Sequence, residues 1–145
     1  MHNSVQIKAF SFYLILVILA YTVSGCDYLF PPLKSDKISV SEADRYISKH
    51  KGSPELVIID LRPKTEFDKG HIEGAINLDY TLTDFPAMIE KLDKGKRYII
   101  YDSADRNSLK TLELMKESKI LSGHIILGGI EEWKKQGLPL TKAVN

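Results

Sequence analysis

The sequence predicts one α/β domain built on a mostly parallel, five-stranded sheet with helices on both faces. Residues 56–59 (Leu-Val-Ile-Ile) and 98–101 (Tyr-Ile-Ile-Tyr) are unbroken apolar runs, which are typical of strands buried on both faces. Segments with apolar residues at helical spacing separate such runs. A chain of 145 residues, of which 43% are hydrophobic and 27% charged, has room for one domain of this kind.

The first half of the domain contains three expected strands and one expected helix. Residues 38–40 (Ile-Ser-Val) form a short extended piece. Ser41 is the expected N-cap of the first helix, because its hydroxyl can accept a backbone N–H and acidic residues follow in the first turn. Residues 56–59 form the first buried strand. Residues 72–78 form a weaker strand, because Gly74 interrupts the apolar run.

The second half repeats the alternation of helix and strand. Asp84 opens a helix, and residues 98–101 form the second buried strand. The helix that follows presents an apolar face marked by Leu109, Leu112 and Met115. Residues 124–127 are the last strand, before a short helix that carries Ile130 and Trp133. Parallel sheets place functional groups at the carboxyl ends of their strands, so the positions to inspect are Asp60, the loop from Asp102, and Gly128-Gly129.

Residues 1–25 are expected to be an export signal that does not belong to the fold. Lys8 gives a weakly basic start, and residues 9–23 are mostly apolar but span only about 22 Å as a helix, less than the roughly 30 Å of a bilayer core. The stretch Val23-Ser24-Gly25-Cys26 resembles the lipobox of bacterial lipoproteins. This resemblance implies cleavage before Cys26 and attachment of diacylglycerol and palmitate, which gives the multiple acyl chains that stable anchoring needs. An uncleaved signal anchor and a buried thiol are the alternatives.

The anchor determines the expected organisation and location of the protein. Residues 26–36 are the lipidated cysteine and its tether, and residues 37–145 are the domain. The domain is expected on the outer face of the cytoplasmic membrane or in a periplasm.

The charges of the mature protein balance. Apart from Lys8 in the signal, the chain has 19 basic and 19 acidic residues, so it lacks the excess of positive charge that nucleic-acid binding needs. Cys26 is the only cysteine, so acylation leaves the domain without a thiol.

Several stretches, taken in order, resemble the sequence signatures of the rhodanese family. They are residues 57–62 (Val-Ile-Ile-Asp-Leu-Arg), Glu66-Phe67, 70–77 (Gly-His-Ile-Glu-Gly-Ala-Ile-Asn), 126–133 (Ile-Leu-Gly-Gly-Ile-Glu-Glu-Trp) and 137–140 (Gly-Leu-Pro-Leu). The resemblance extends from about residue 38 to residue 141 and implies the rhodanese-like fold. It also implies that the active-site loop of the family follows the second buried strand.

Active members of the family carry a Cys directly after that strand, with Gly and Arg at the fourth and sixth loop positions. Converging backbone N–H groups and a helix N-terminus lower the pKa of the thiol, and the thiolate takes up a sulfane sulfur as a persulfide. Here Asp102 replaces the Cys, Asp105 the Gly and Asn107 the Arg. The degenerate loop comprises Asp102, Ser103, Ala104, Asp105, Arg106, Asn107 and Ser108. Because a carboxylate cannot form a persulfide, the resemblance implies a domain without sulfurtransferase activity.

The replaced residues also predict the electrostatics of the loop. The Asp102 carboxylate is expected to accept hydrogen bonds from the converging backbone N–H groups of the loop, as an N-cap Asp does. Asp105 adds a second acid, so a thiosulfate or phosphate dianion would meet like charge. The family resemblance further implies that Asp60 and Arg62 brace the loops around the site. It gives His71, in the Gly-His-Ile motif, a structural role.

The residues of the loop do not favour the more familiar kinds of catalytic site. Ser103 and Ser108 lack an adjacent neutral base, which a serine nucleophile requires. His71 and His124 are the histidines expected in ordered positions, and their spacing to carboxylates indicates neither a metal nor another cofactor. Aspartate-nucleophile phosphatases need a second Asp two residues after the first, where this chain has Ala104.

The favoured hypothesis is a non-catalytic, membrane-anchored module that binds a protein partner or a small ligand through the altered loop. One alternative is an enzyme of unknown type that uses Asp102 or Asp105 as general base or nucleophile. Others are a weak sulfur-handling protein that relies on the thiol of a partner, and a structural spacer.

Overall fold

The computed structural model describes residues 36–120 and 122–142. The expected signal of residues 1–25, Cys26 and all of the tether except Asp36 lie outside the described residues. Within the ranges that are described, no helix has both the length and the apolar character needed to cross a bilayer.

The described chain alternates strands and helices around a single sheet. The strands are β1 (Lys37–Ile38), β2 (Leu56–Asp60), β3 (Ala75–Asn77), β4 (Arg97–Tyr101) and β5 (Gly123–Ile126), and their order in the sheet is β1-β5-β4-β2-β3. The helices are α1 (Val40–Lys49), α2 (Lys64–Lys69), α3 (Phe85–Glu90), α4 (Arg106–Glu117) and α5 (Gly129–Lys135). All neighbouring strands are parallel, so the predicted α/β class is confirmed with a sheet that has no antiparallel pair among these strands.

The central strands β2 and β4 consist mostly of apolar residues because both of their faces are covered. Ile59, Ile100 and Ile125 belong to one core cluster with the buried side chains of α3 and α4. Neighbouring strand residues such as Ile58 point to the opposite face, because side chains alternate along a strand. There Ile58 lines a groove together with Trp133 of α5, which is only 2% exposed. Burial of both faces explains the unbroken apolar runs of the sequence.

The first helix begins earlier than the sequence predicts. Its N-cap is Ser39 and not Ser41, because the Ser39 hydroxyl accepts the N–H of Glu42 at 3.2 Å. Val40, which was expected in an extended piece, is the first helical residue and is 1% exposed. Ser39 and Glu42 have the Ser-x-x-Glu spacing of a capping box, and this was the signal that could have placed the helix start.

Two strand boundaries and one further helix also differ from the expectation. β3 is confined to Ala75–Asn77, because His71 instead pairs with Thr141 in an antiparallel bridge and Gly74 adopts a φ of +80°. α2, a helix of six residues after Pro63, was not predicted. β5 ends at Ile126, which leaves Leu127 outside the strand and 42% exposed.

Candidate functional site

The carboxyl ends of β2, β4 and β5 come together at one edge of the sheet. Asp60 ends β2 in register with Tyr101, and Asp102 follows directly after Tyr101. The N–H of Ile130, in the first turn of α5, donates to the carbonyl oxygen of Asp102 at 2.9 Å. The three positions that the sequence singled out therefore form one site.

The Asp102 carboxylate lies on the donors at the start of α4. Its Oδ1 accepts the backbone N–H of Asp105 at 2.6 Å and the hydroxyl of Ser108 at 3.1 Å. Its Oδ2 accepts the N–H of Asn107 at 2.8 Å. The first N–H groups of a helix have no partner within the helix, and the helix dipole favours a negative charge there. Because Asp102 is only 4% exposed, the anion position of this loop is filled from within the chain.

Asp105 joins the loop to the turn that follows β5. Its φ of +73° lies in the left-handed region, which favours glycine and which Asp tolerates better than most residues. Its Oδ2 accepts the N–H of Gly128 at 2.9 Å, and its buried Oδ1 has no hydrogen-bond partner among the described residues. The side chain therefore makes a link to Gly128 that a glycine at this position would lack.

The two loops approach each other so closely that Gly129 has no room for a side chain. A Cβ atom on Gly129 would lie 2.3 Å from the carbonyl oxygen of Asp102 and 2.8 Å from that of Ser103. The outer surface of the loop is formed by Ser103, Ala104 and Arg106, which are exposed. A partner approaching the loop would meet these side chains, because Asp102 and Ser108 are buried beneath them.

Asp60 and Arg62 form a buried ion pair beside the loop. Nη2 of Arg62 lies 2.5 Å from Oδ2 of Asp60, and Nε of Arg62 lies 3.0 Å from Oδ1. Nη2 also donates to the carbonyl oxygen of Gly70 at 2.8 Å, which ties the end of β2 to the turn before β3. The Asp60 and Arg62 side chains are 0% and 5% exposed, so the pair acts inside the scaffold.

Tyr101 extends this buried cluster to β4. Its hydroxyl accepts the N–H of Ile72 at 3.0 Å. Burial, followed by the negative charge of Asp60, raises the pKa of the Tyr101 hydroxyl well above its usual range. Tyr101 therefore stays protonated at neutral pH and serves as a neutral link between β4 and the segment before β3.

The histidines occupy structural positions. His71 is stacked on Phe67 with ring centroids 3.8 Å apart, and its Nδ1 lies 2.9 Å from the Phe67 carbonyl oxygen. His124 is half-buried in β5. The expectation that only His71 and His124 are ordered was wrong, because His50 at the end of α1 is 7% exposed with its Nδ1 2.8 Å from the carbonyl oxygen of Tyr46. The helical spacing of Tyr46 and His50 could have indicated this contact.

The remaining candidate groups at the loop are its serine hydroxyls and acidic side chains. Ser108 is fully buried and donates its hydroxyl proton to Asp102, so a substrate cannot reach it as a nucleophile. Within residues 36–120 and 122–142, no group of three or more His, Cys, Asp or Glu side chains is placed to hold a metal ion. At this site, the N–H groups at the start of α4 and the hydroxyl of Ser108 donate to a carboxylate of the protein itself.

Comparisons with known proteins agree with this architecture. Residues 43–136 match the family model of the rhodanese-like domain. The chain is 30% identical over 115 residues to an adenylyltransferase and sulfurtransferase of Lodderomyces elongisporus, and the match covers 72% of this chain but only 25% of that protein. The chain thus spans about a quarter of the length of that relative. It is also 28% identical over 107 residues to the uncharacterized protein YibN of Escherichia coli, covering 72% of this chain and 71% of YibN.

Solved structures show the same fold at low sequence identity. The solution structure of a rhodanese-like domain from Anabaena superposes with a TM-score of 0.62 at 21% identity, and covers 75% of this chain and 80% of that domain. A rhodanese-related protein from Thermoplasma volcanium gives the same TM-score of 0.62 at 20% identity, with 72% of this chain and 96% of that one covered.

Proposed function

This chain belongs to the rhodanese-like domain family, and we propose that it is a member without sulfurtransferase activity that binds a protein partner or a small ligand through the 102–108 loop. The observation that carries the proposal is the position of the Asp102 carboxylate on the donors at the start of α4. Sulfur transfer by this family needs a thiolate at that point, and a carboxylate oxygen cannot carry sulfane sulfur. An incoming dianion would also have to displace a negative charge that already has three hydrogen bonds.

The loop is suited to binding because its backbone is held in place. Asp102 fixes the start of α4, and Asp105 fixes the loop to Gly128. Rigid elements present a surface at low entropic cost, which favours recognition. The exposed side chains of Ser103 and Arg106 supply a hydroxyl and a cation for that contact.

The proposal includes export and attachment to a membrane through acylated Cys26, supported by the lipobox-like sequence that precedes it. Growth with a clickable palmitate analogue tests this step. The wild-type chain should carry the label and sediment with membranes, whereas Cys26→Ser should carry no label. A wild-type chain that stays unlabelled yet membrane-bound would instead indicate an uncleaved signal anchor.

The absence of sulfur transfer is tested with thiosulfate and cyanide on the purified mature chain. We expect no thiocyanate above the buffer blank. The triple variant Asp102→Cys, Asp105→Gly, Asn107→Arg should gain partial persulfide formation, because the backbone that surrounds the anion position is retained. Turnover by the wild type that survives Asp102→Ala would overturn the proposal.

Binding by the loop is tested by crosslinking in intact cells. A photoreactive residue at Ala104, which is exposed, should capture a partner or ligand. The same residue at exposed Ala87 of α3 is the matched control. Equal capture at both positions would contradict a role for the loop.

A further inference from the structure

The charges of the domain are divided unequally between the two edges of the sheet. We define the amino edge as the segments where helices end and the next strands begin, together with the start of β1 and the chain after α5. These segments contain 11 basic and 6 acidic residues, whereas the rest of the described chain contains 7 basic and 12 acidic residues. The amino edge therefore has a net charge of +5 and the remainder one of −5. The segments are residues 36–37, 49–55, 69–74, 90–97, 116–120 and 136–142.

The direction of the helices explains this division. Helices that connect parallel strands run back against the strand direction, so their C-termini gather at the amino edge and their N-termini at the opposite one. Lysines occupy the last turns of α1, α2, α4 and α5, and acids occupy the first turns of α1, α2 and α5. Each charge complements the dipole of its own helix. Because the helices run in the same direction, the lysines of their last turns lie towards one edge of the sheet and the acids of their first turns towards the other.

The first described residue lies at the amino edge. β1 runs parallel to β5, so Asp36, directly before β1, lies at the edge where the strands begin. The carboxylate of Asp36 lies 2.5 Å from the Nζ of Lys116, in the last turn of α4. Nine residues, 27–35, separate Asp36 from Cys26, and a fully extended chain of that length reaches about 30 Å.

We propose that the amino edge lies against an anionic bilayer surface, so that the 102–108 loop faces the aqueous phase. This inference rests on the lipid anchor of the proposed function. Anionic headgroups attract clustered basic residues within about one Debye length, roughly 10 Å at 0.1 M salt. The same surface repels the acidic remainder of the domain, which contains Asp102 and Asp105. A partner of the loop therefore reaches it from the aqueous side and not along the membrane.

The test uses the mature, acylated chain in vesicles of phosphatidylcholine, with or without about one third phosphatidylglycerol. A single donor dye is attached at Gln136→Cys, on the amino edge, or at Thr83→Cys, at the opposite edge; both positions are exposed. Headgroup-labelled lipids serve as acceptors. We expect energy transfer on anionic vesicles to be about twofold higher from position 136 than from position 83, because only the former edge attracts the surface. The difference should disappear at about 1 M salt, where the Debye length is about 3 Å.

Charge variants separate this effect from the geometry of the tether. Lys91→Glu with Lys96→Glu, on the amino edge, should abolish the preference. Lys64→Glu with Lys110→Glu, two exposed lysines outside that edge, should leave it unchanged. Equal transfer from both dye positions, or a preference that persists at high salt, would overturn the inference. Failure of the anchor gives a different result, because the chain would then not float with neutral vesicles and Cys26→Ser would behave like the wild type.

Discussion

Asp102 supplies the negative charge of its loop from within the chain, and its removal leaves buried donors without an acceptor. In Asp102→Ala, the N–H groups of Asp105 and Asn107 and the hydroxyl of Ser108 lose their acceptor. Hydrogen bonds to a charged group contribute about 1.5–3 kcal/mol each, and partial access of water to the open site reduces the total. We therefore expect the free energy of unfolding to fall by about 2–3 kcal/mol.

Urea denaturation at neutral pH measures this loss. Asp102→Asn keeps one acceptor oxygen and should lose about half as much. Ser103→Ala, at an exposed position of the same loop, is the control and should change the free energy of unfolding by less than about 0.5 kcal/mol. Losses of the same size in all three variants would show that the carboxylate is not the acceptor that holds the loop.

The buried hydroxyl of Tyr101 should make the free energy of unfolding decrease at alkaline pH. Burial and the charge of Asp60 raise the pKa of its hydroxyl in the folded state above the value of about 10 in the unfolded chain. The stabilisation is therefore fully present below about pH 10 and is lost as the pH rises from there towards the folded pKa. Tyr101→Phe should be less stable at pH 7, because the N–H of Ile72 loses its acceptor, but its stability should fall less steeply above pH 10. Parallel pH profiles for the two proteins, from urea denaturation between pH 7 and 11, would contradict this account.

Among the elements, α1 gives the clearest test of a helix boundary. Ser39→Ala removes the hydroxyl that accepts the N–H of Glu42, and loss of an N-cap costs about 1 kcal/mol. Ser41→Ala is the comparison variant, because Ser41 lies inside the helix with its hydroxyl 3.3 Å from that of Ser39, and its loss should cost less than the loss of the cap itself. Chemical denaturation should therefore separate the two variants. A larger loss in Ser41→Ala would restore the boundary that the sequence predicted.

Buried strands are easier to predict from this sequence than short helices or strands with distant partners. The strands with unbroken apolar runs, β2 and β4, were predicted to within one residue, because burial on both faces leaves few polar positions. α2 was missed because a helix of six residues is too short to show a periodic pattern. β3 was overestimated because the backbone partner of His71, Thr141, is 70 residues away in the sequence and no local pattern reveals it.

At the scale of the whole molecule, the sequence predicted which strand ends come together but not the contacts between them. The positions after β2, β4 and β5 were predicted from the rule that functional groups follow the strand ends. The contact between Asp105 and Gly128 was not predicted, because it depends on the left-handed backbone at Asp105 and on a turn 23 residues later. The uneven charge of the two edges was also hidden, since the charges after the signal balance in the sequence and separate only when the helices align.

Arg62 holds separate parts of the fold together, and its loss should affect the entire domain. It pairs with Asp60 at the end of β2, donates to the carbonyl oxygen of Gly70 before β3, and lies 6.0 Å from the ring centroid of Tyr101 in β4. Arg62→Ala leaves the fully buried Asp60 without its cation, and breaking a buried pair in this way costs about 3–5 kcal/mol. Because the total stability of a domain is about 5–15 kcal/mol, we expect the midpoint of thermal unfolding to fall by more than about 10 °C.

The surface pair Lys51–Glu73 is the matched control for this variant. Its side chains are both 67% exposed, so Lys51→Ala should change the free energy of unfolding by less than about 1 kcal/mol. Arg62→Lys should lie between the two, because an ammonium group keeps the charge but cannot reproduce the paired contacts of the guanidinium. Calorimetry of the three variants decides the matter: if Arg62→Ala and Lys51→Ala unfold at the same temperature, the buried pair does not connect β2, β3 and β4.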